Sequence, residues 1–425
     1  MSLSCYPEYK DSGVEWLGEV PEHWEVVQFK QFVDIQNGSD HKHVEQAEGY
    51  PVLGSGGIFT YASDFLYDGE SILLGRKGTI DKPLHINGRF WTVDTMYWTK
   101  INPAASGRFT YYSALTIPFD YYSTNTALPS MTKGALSSHL VARPPLSEQT
   151  QIAAFLDRET AKIDDLVAEQ RRLMELLKEK RQAVISHAVT QGLNPHTPMK
   201  PSGNKWLGNV PEHWNVSRLK HIKAEAKNAF VDGPFGSNLK SEHFIDDGDI
   251  YVIESNFATQ GRIDTENLKT ISNEHFATIN RSETRGGDII IAKIGAQYGK
   301  ASILPALDKP AVVSGNSLKL TINQKTCDVK FVNWHLANLK ELGVMEDIVN
   351  ATAQPALSLG EMNNLPMLEP PRAEQEEIVR FLDEKLGEFN TLTTEAQRAI
   401  DLLQERRTAL ISAAVTGQID VRRHA

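Results

Sequence analysis

Basic and amide side chains recur at the turns that follow strand-like segments of this sequence. Lys and Arg side chains reach DNA phosphates or guanine edges, whereas Asn and Gln side chains pair with adenine. These turns are therefore candidate DNA contacts, although each residue taken alone also fits an ordinary solvated loop. In the first half of the chain the candidates are Arg76, Lys77, Thr79, Arg89 and Lys133. In the second half they are Asn238, Lys240, Lys293, Gln297, Tyr298, Lys300 and Asn316.

The sequence does not contain the motifs that catalysis would require. Gly295–Ala301 resembles a phosphate-binding loop, but it has three residues between its glycines where four are needed, and it ends in Ala. There is no His-Glu-x-x-His or Gly-x-Ser-x-Gly motif, and neither Pro-Pro pair fits an amino-methyltransferase tetrad. Two cysteines, Cys5 and Cys327, are too few for a four-cysteine zinc site, and His41 and His43 fit a surface loop. We predict no catalytic residue and no metal site in this chain.

The charge balance argues against binding of nucleic acid through bulk positive charge. The 425 residues include 44 Lys and Arg and 54 Asp and Glu, a formal net charge of −10. Residues 30–143 hold ten of each sign, so this region is less acidic than the whole chain. The N-terminus has no apolar signal-like stretch, and no apolar run approaches the ~20 residues of a membrane span. We expect a cytoplasmic protein that does not enter a membrane.

Two internal repeats determine the organisation of the chain. Residues 12–24 and 202–214 share a Trp-Leu-Gly-x-Val-Pro-Glu-His-Trp sequence. Residues 144–190 and 370–416 share a Pro-Pro-x-x-Glu-Gln opening and an Ala-Val-Thr end. The segments between the repeats diverge apart from short islands, such as Thr126–Pro129 and Thr352–Pro355. Two copies are too few for a solenoid, so the pattern indicates a tandem duplication with pseudo-two-fold symmetry.

The second repeat has the pattern of a long coiled-coil helix. Residues that are apolar except for Gln170 recur every seven positions from Leu156 to Val184 and from Leu382 to Leu410. We place Leu166, Leu173, Leu392 and Ala399 at the other position of this apolar seam. Each helix has about 40 residues and would be roughly 60 Å long. A two-fold axis along the helices would place both variable domains at the same end, whereas a perpendicular axis would make the helices antiparallel. We favour the antiparallel arrangement, and we expect the two ends of the chain to lie close together in a circular arrangement.

These observations predict an α+β fold made of two α/β-type globular domains and two long antiparallel coiled-coil helices. The predicted divisions are an N-terminal segment and first variable domain (1–146), helix one (147–190), a linker and second variable domain (191–372), and helix two with a tail (373–425).

The sequence resembles the specificity (S) subunit, HsdS, of type I restriction–modification systems over essentially its whole length. The Trp-Leu-Gly-x-Val-Pro-x-His-Trp segments, both Pro-Pro-x-x-Glu-Gln helix openings and both helix ends carry this resemblance together. The resemblance implies two target recognition domains, each reading one half of a bipartite, asymmetric site in double-stranded DNA. It also implies that the coiled coil sets the spacer between the two halves.

The resemblance further implies partners that supply the chemistry. Two modification (M) subunits would methylate adenine with S-adenosylmethionine, and restriction (R) subunits would add an ATP- and Mg²⁺-dependent nuclease. This chain would hold no cofactor of its own. The family pattern places M-subunit docking on the common helices, which here corresponds to Glu148, Gln149, Glu374 and Gln375.

Two other functions stay open on the residues alone. The chain could be a scaffold whose coiled coil joins two modules that do not bind DNA, because its variable domains are nearly neutral. It could also be a self-sufficient nuclease or methyltransferase, which would have to turn over without any other subunit.

Overall fold

The computed structural model describes residues 4–122, 129–349 and 355–422. The chain forms two compact units. The first unit contains residues 1–173 and 395–425, and the second contains residues 174–394. The islands Thr126–Pro129 and Thr352–Pro355 lie outside the described residues except for their prolines.

The first unit is built on a seven-stranded sheet with the strand order β4-β10-β8-β9-β6-β7-β5. All neighbouring strands in it are antiparallel except β6 and β9. Two further antiparallel pairs, β1 with β2 and β3 with β11, flank this sheet. The strands are β1 (Tyr9–Asp11), β2 (Glu19–Pro21), β3 (Glu25–Gln28), β4 (Val33–Asn37), β5 (Glu45–Gln46), β6 (Tyr50–Gly54), β7 (Gly57–Ala62), β8 (Tyr67–Gly75), β9 (Leu84–Thr92), β10 (Met96–Ile101) and β11 (Leu140–Arg143). The helices are α1 (Gly107–Ala114), α2 (Phe119–Tyr122), α3 (Lys133–Ser138) and the first part of α4 (Leu146–Gln191).

The second unit has two four-stranded sheets, with the orders β15-β22-β19-β20 and β17-β16-β21-β18. The pairs β12–β13 and β14–β23 repeat the flanking pairs of the first unit. The strands are β12 (Met199–Pro201), β13 (Asn209–Pro211), β14 (Asn215–Arg218), β15 (Phe230–Asp232), β16 (Ile250–Ile253), β17 (Thr270–Ile271), β18 (Glu283–Thr284), β19 (Ile289–Ala292), β20 (Ala301–Ile303), β21 (Ala311–Val313), β22 (Ser317–Leu320) and β23 (Pro366–Glu369). The helices are α5 (Leu219–Ile222), α6 (Ser255–Gln260), α7 (Asn273–Ile279), α8 (Val329–Glu341), α9 (Val344–Ile348), α10 (Leu359–Asn363) and the first part of α11 (Arg372–Val415).

Four strands have the same order and direction in both units, despite the divergence of their sequences. The antiparallel order β4-β10-β8-β9 corresponds to β15-β22-β19-β20. The central strand β19 is a continuous apolar run because both of its faces are covered. Ile289 and Ile291 pack into one hydrophobic cluster, and Ile290 and Ala292 pack into another. The common sheet therefore survives in two domains that share little sequence.

The two long helices run antiparallel to each other within each unit. In the first unit Arg407 of α11 donates a 2.9 Å hydrogen bond to Asp164 of α4, so the start of one helix lies beside the end of the other. In the second unit the end of α4 and the start of α11 share one hydrophobic core that contains Val189 and Ile378. The predicted antiparallel coiled coil and the predicted fold class are confirmed.

One row of the predicted seam was wrong. Leu156 and Ile163 are buried as expected, but Leu166, Leu173 and Leu392 are 50%, 42% and 46% exposed. Val167 and Ile400 are buried in their place. Ile163 and Val167, like Ala396 and Ile400, are four residues apart, so the buried face of each helix is rotated away from the heptad positions that we assigned.

The two described ends of the chain meet in the first unit, as the repeat pattern predicted. The amide of Asp420 donates a 2.7 Å hydrogen bond to the carbonyl oxygen of Ser4. The Tyr9 hydroxyl donates a 3.0 Å hydrogen bond to the carbonyl oxygen of Gly417, just beyond α11. The N-terminal copy of the repeat therefore packs on the end of α11 without a covalent connection.

Candidate nucleic-acid interface

Loops meet at one end of the shared sheet in the first unit, where β4 and β8 end and β10 begins. We define loop cluster one as residues 38–39, 76–79, 93–95 and 129–132. The amide of Arg76 donates a 2.9 Å hydrogen bond to the Thr95 carbonyl, and the Arg76 carbonyl accepts a 3.0 Å hydrogen bond from the Met131 amide. These main-chain bonds join three loops that are distant in sequence.

The second unit repeats this arrangement with different residues. We define loop cluster two as residues 233–238, 293–300, 314–316 and 355–357. The amide of Lys293 donates a 2.9 Å hydrogen bond to the Asn316 carbonyl, and the Lys293 carbonyl accepts a 3.0 Å hydrogen bond from the Leu357 amide. Arg76 and Lys293 thus occupy equivalent positions in the two clusters, as do Thr95 and Asn316.

A glycine allows the close approach of two loops in each cluster. The amides of Gly38 and Gly233 donate hydrogen bonds of 2.9 and 3.1 Å to the first residues of β10 and β22. A Cβ atom on Gly38 would lie 2.0 Å from the Val93 carbonyl oxygen, and one on Gly233 would lie 1.9 Å from the Ser314 carbonyl oxygen. Any other residue at either position would force the loops apart.

Four of the five candidates in the first half of the chain lie at or beside loop cluster one. Lys77, Thr79 and Lys133 are exposed, and Lys133 begins α3 directly after the last loop of the cluster. Arg76 is half-buried: its Nη1 donates a 3.3 Å hydrogen bond to the Asp94 carbonyl, and its guanidinium lies 5.9 Å from the centre of the Tyr97 ring.

Arg89 is held by groups outside loop cluster one. Its Nε donates a 2.9 Å hydrogen bond to Asp68, and its Nη1 donates a 3.1 Å hydrogen bond to the Tyr50 hydroxyl. The guanidinium also lies 5.0 Å from the centre of the Phe65 ring. These hydrogen bonds raise the pKa of Arg89 further, so this side chain stays charged.

Lys293 is the candidate whose surroundings differ most from a solvated loop. Its side chain is only 12% exposed, and its Nζ lies 3.0 Å from the Asp232 carboxylate. Arg281 binds the same carboxylate and remains largely exposed. Neither Asp232 nor Arg281 was predicted from the sequence. Asp232 precedes Arg281 by 49 positions and Lys293 by 61, and no local motif connects residues so far apart. DNA contact by Lys293 stays a prediction.

The other candidates of the second unit lie on the surface around Lys293. Gln297 and Lys300 are exposed in the turn between β19 and β20, whereas the Tyr298 ring is partly buried with Lys340 Nζ 4.0 Å from its centre. Asn316 is exposed and lies in the same loop as Ser314.

Asn238 is the last residue of the first loop of cluster two, and Lys240 lies on the exposed segment that follows this loop. The Asn238 carbonyl accepts a 2.9 Å hydrogen bond from His275 Nε2, and the Lys240 amide donates a 3.0 Å hydrogen bond to His243 Nδ1. The two imidazole rings stack with their centres 3.9 Å apart. The position of this segment is therefore set by α7, which carries His275.

The four predicted docking residues make bonds inside their own units. Glu148 Oε2 lies 2.9 Å from His23 Nε2, and Glu374 Oε2 lies 2.7 Å from His213 Nε2. These histidines belong to the two Pro-Glu-His-Trp copies, so each repeat segment is fastened to the first turn of a long helix. The motif therefore has a structural role at both junctions.

The neighbouring glutamines are buried and connect each long helix to its globular domain. Gln149 Oε1 accepts a 2.9 Å hydrogen bond from the Ser106 amide, and Gln375 Oε1 accepts a 2.7 Å hydrogen bond from the Asp328 amide. Ser106 and Asp328 are the N-cap residues of α1 and α8. The docking role of the four residues stays a prediction, since the buried glutamines present little surface to a partner.

A matched ion pair strengthens each of these junctions. Arg108 of α1 binds Asp157, and Lys330 of α8 donates a 2.6 Å hydrogen bond to Asp383. Burial opposes ionisation of Asp157, but hydrogen bonds from Arg108 and Tyr112 outweigh it and lower the pKa of this carboxyl group. The duplication therefore extends to the side chains that attach each domain to its helix.

The described residues contain no group of three His, Cys, Asp or Glu side chains that could hold a metal ion. Within the same residues no helix is long and apolar enough to cross a membrane.

The sequence model of one protein family, described as type I restriction modification DNA specificity domain, matches residues 21–174 and 211–401. The chain belongs to this family. Each matched segment of the DNA specificity family contains one of the two loop clusters, so the chain carries two DNA specificity domains. The resemblance inferred from the repeat motifs is confirmed.

Similar proteins cover nearly the whole chain. The type I restriction enzyme MjaVIII specificity subunit of Methanocaldococcus jannaschii is 22% identical over 437 residues, covering 95% of this chain and 94% of that protein. A structure described as the basis of complex assembly and conformational transition of the type I R-M system has a TM-score of 0.67 at 15% identity, covering 94% of this chain and 99% of the other. The crystal structure of the HsdS subunit from Thermoanaerobacter tengcongensis has a TM-score of 0.52 at 14% identity, covering 94% and 98%. At these identities the solved structures establish the fold.

Proposed function

We propose that this chain gives a type I restriction–modification complex its DNA sequence specificity, without catalysing a reaction itself. Loop cluster one would read one half of a bipartite DNA site, and loop cluster two would read the other half. The observation that carries this proposal is the equivalence of Arg76 and Lys293 on the same four-stranded framework. Because the same four-stranded framework carries both loop clusters, the two clusters would be presented to DNA in the same way.

The differences between the two clusters support unlike half-sites. Thr95 in cluster one stands where cluster two has Asn316. A Thr side chain can bond to more than one type of base, whereas an Asn side chain can form two hydrogen bonds with adenine. Two domains with one backbone plan and different loop side chains would therefore recognise an asymmetric sequence.

The antiparallel helices would set the number of unread base pairs between the two halves. Their pairing is fixed by specific contacts, such as the one between Arg407 and Asp164 in the first unit. A rigid spacer imposes a fixed distance between two DNA contacts, and half-site spacing follows from protein geometry.

Two modification subunits are the proposed partners of the helices, and restriction subunits would join them. Exposed leucines occur in pairs related by the 226-residue repeat: Leu166 with Leu392, and Leu176 with Leu402. Exposed apolar residues at repeated positions suit the docking of two copies of the same partner. These leucines offer more accessible surface than the four buried or bonded docking candidates.

The partners would also supply the chemistry and much of the DNA clamp. We propose that the modification subunits bind S-adenosylmethionine and methylate adenine, and that the restriction subunits use ATP and Mg²⁺. The net charge of −10 fits a chain that selects a sequence and leaves most of the phosphate attraction to its partners.

Mapping of methylated adenines tests this function. Cells that co-express the chain with a modification subunit should carry methyl groups in two short sequences separated by a constant unread gap. Cells that express either subunit alone should carry none. Methylation of one continuous short sequence, or turnover by this chain without a partner, would contradict the proposal.

A further inference from the structure

Phe235 is an apolar side chain at the surface of loop cluster two. It is 62% exposed and lies in the loop Gly233–Asn238, which follows β15. Single exposed apolar residues are common on proteins and need no special explanation. The support beneath this ring is what distinguishes Phe235 from the others.

A buried ion pair holds the Phe235 ring from one side. Lys293 Nζ lies 4.7 Å from the centre of the ring and 3.0 Å from the Asp232 carboxylate. The Lys293 and Asp232 side chains are only 12% and 6% exposed, so solvent screens the attraction between the ammonium group and the ring less than it would at an open surface. The Phe235 side chain is nevertheless 62% exposed, so it is accessible to another molecule.

The backbone of the loop is equally constrained. The Gly233 amide donates a hydrogen bond to Ser317, and the Phe235 carbonyl accepts one of 2.7 Å from the Asn238 amide. A Cβ atom on Gly315 would lie 2.6 Å from the Pro234 carbonyl oxygen, so the two loops are in close contact. A side chain fixed before binding loses little conformational freedom when it meets a ligand.

The first unit has a counterpart beside loop cluster one. Phe59 is 56% exposed in β7, and its ring makes an edge contact with His41 at 5.2 Å between centres. A Cβ atom on Gly54 would lie 3.5 Å from the Phe59 ring and 4.0 Å from Val93, which belongs to the cluster. Loop cluster one therefore also has an exposed phenylalanine beside it, which lies against His41 rather than against a lysine.

We propose that Phe235 reads a thymine in the half-site of the second unit, through apolar contact with the C5-methyl group in the major groove. This inference rests on the proposed function, because it requires that loop cluster two faces DNA. The thymine methyl is the apolar group that DNA presents in the major groove, and a phenyl ring is one of the side chains that contact it. Lys293 acts here as a positioning residue, because its charge is directed to Asp232 and to the ring.

The test compares thymine with uracil, which lacks this methyl group. The complex of the full chain with its modification subunits is titrated with a duplex that contains the mapped site. Each thymine of the second half-site is replaced by uracil in turn. At one thymine, uracil should weaken binding of the wild-type complex about fourfold, the effect of one buried methyl group. A Phe235→Ala complex should bind the thymine and uracil duplexes equally, and Phe235→Leu should restore part of the discrimination.

The experiment includes a matched control variant, and two results would overturn the inference. Leu342→Ala removes another exposed apolar side chain of the second unit and should leave the thymine-to-uracil ratio unchanged. Wild-type discrimination that persists in Phe235→Ala would overturn the inference. Weaker binding by Phe235→Ala with no uracil effect at any thymine would also overturn it, and would favour a wedge between bases. Failure of the wild-type complex to bind any specific site would reject the proposed function itself.

Discussion

The Tyr6 hydroxyl donates a 2.5 Å hydrogen bond to Glu148, and this bond joins the N-terminal segment to the first turn of α4. In the second unit Trp214 Nε1 donates to the equivalent Glu374 at 3.1 Å. Trp24, the counterpart of Trp214, has no partner for its Nε1 among the described residues. Tyr6 therefore makes at Glu148 the bond that Trp214 makes at Glu374.

Replacing Tyr6 with Phe should destabilise the protein by about 1.5–3 kcal/mol, because the bond to a buried carboxylate is lost. Burial and the bond to Glu148 raise the pKa of Tyr6, so the hydroxyl keeps its proton at neutral pH. Urea unfolding of both proteins at pH 7.5 measures the difference. The comparison variant Tyr9→Phe removes two part-buried bonds to neutral groups, one to the Gly417 carbonyl and one from the Tyr6 amide, and each should cost about 0.5–1.5 kcal/mol. Equal stability of Tyr6→Phe and wild type would show that the N-terminal segment is not held by this bond.

His335 should make the protein less stable in mild acid. Burial lowers its pKa from 6.5 to about 4, and its Nε2 lies 3.1 Å from the Pro366 carbonyl oxygen. The unfolded chain takes up a proton near pH 6.5 that the folded chain takes up only near pH 4. The contribution of His335 is therefore complete above pH 6.5 and is lost as the pH falls toward 4, by roughly 3 kcal/mol.

Urea unfolding at pH 7.5 and pH 5 measures this loss in wild type and in His335→Gln, which keeps an N–H donor without a titrating ring. The difference between the two pH values should be smaller in the variant. His139 also has its pKa lowered to about 4 by burial, so part of the acid sensitivity should remain. An unchanged difference in His335→Gln would contradict the assignment.

Most of the architecture was predictable from the sequence, because duplicated motifs and the recurrence of apolar residues every seven positions are local signals. The seam position given to Leu166 was wrong, because the rotation of a helix depends on the partner that packs against it. The ion pair between Lys293 and Asp232 was also missed, since residues far apart in sequence meet only through the sheet. The candidate turns could be chosen from their basic and amide residues. The equivalence of Arg76 and Lys293 could not be predicted, because it depends on main-chain hydrogen bonds between distant loops.

Polar substitution of the exposed leucines should affect partner binding and leave stability nearly unchanged. Leu166→Ser and Leu392→Ser remove side chains that are about half exposed, so the free energy of unfolding should change by ~0.5 kcal/mol or less. Copurification with the modification subunit should fall in either variant and further in the double variant. Ala168→Ser, at an exposed position of α4, is the matched control. Undiminished copurification of the double variant would place the docking surface elsewhere.

Lengthening both long helices by one heptad should widen the unread gap of the DNA site. Seven residues inserted after Leu173 of α4 and seven after Thr394 of α11 add about 10.5 Å, which is about three base pairs. The methylated motif should gain a gap of that size while both half-sites stay the same. Insertion into α4 alone would shift one helix against the other and should abolish methylation. An unchanged gap in the double insertion would exclude the helices as the spacer.

We propose that each loop cluster reads its own half of the DNA site. The most direct measurement is sequencing of methylated adenines in cells that carry the modification subunit with wild type, with Arg76→Ala, or with Gln297→Ala and Asn316→Ala combined. Loss of a base contact should weaken discrimination by about 1–3 kcal/mol at the bases concerned. We predict that Arg76→Ala relaxes one half-site only and that the combined variant relaxes the other half-site only. Relaxation of the same half-site by both variants, or of neither half-site by either, would contradict it.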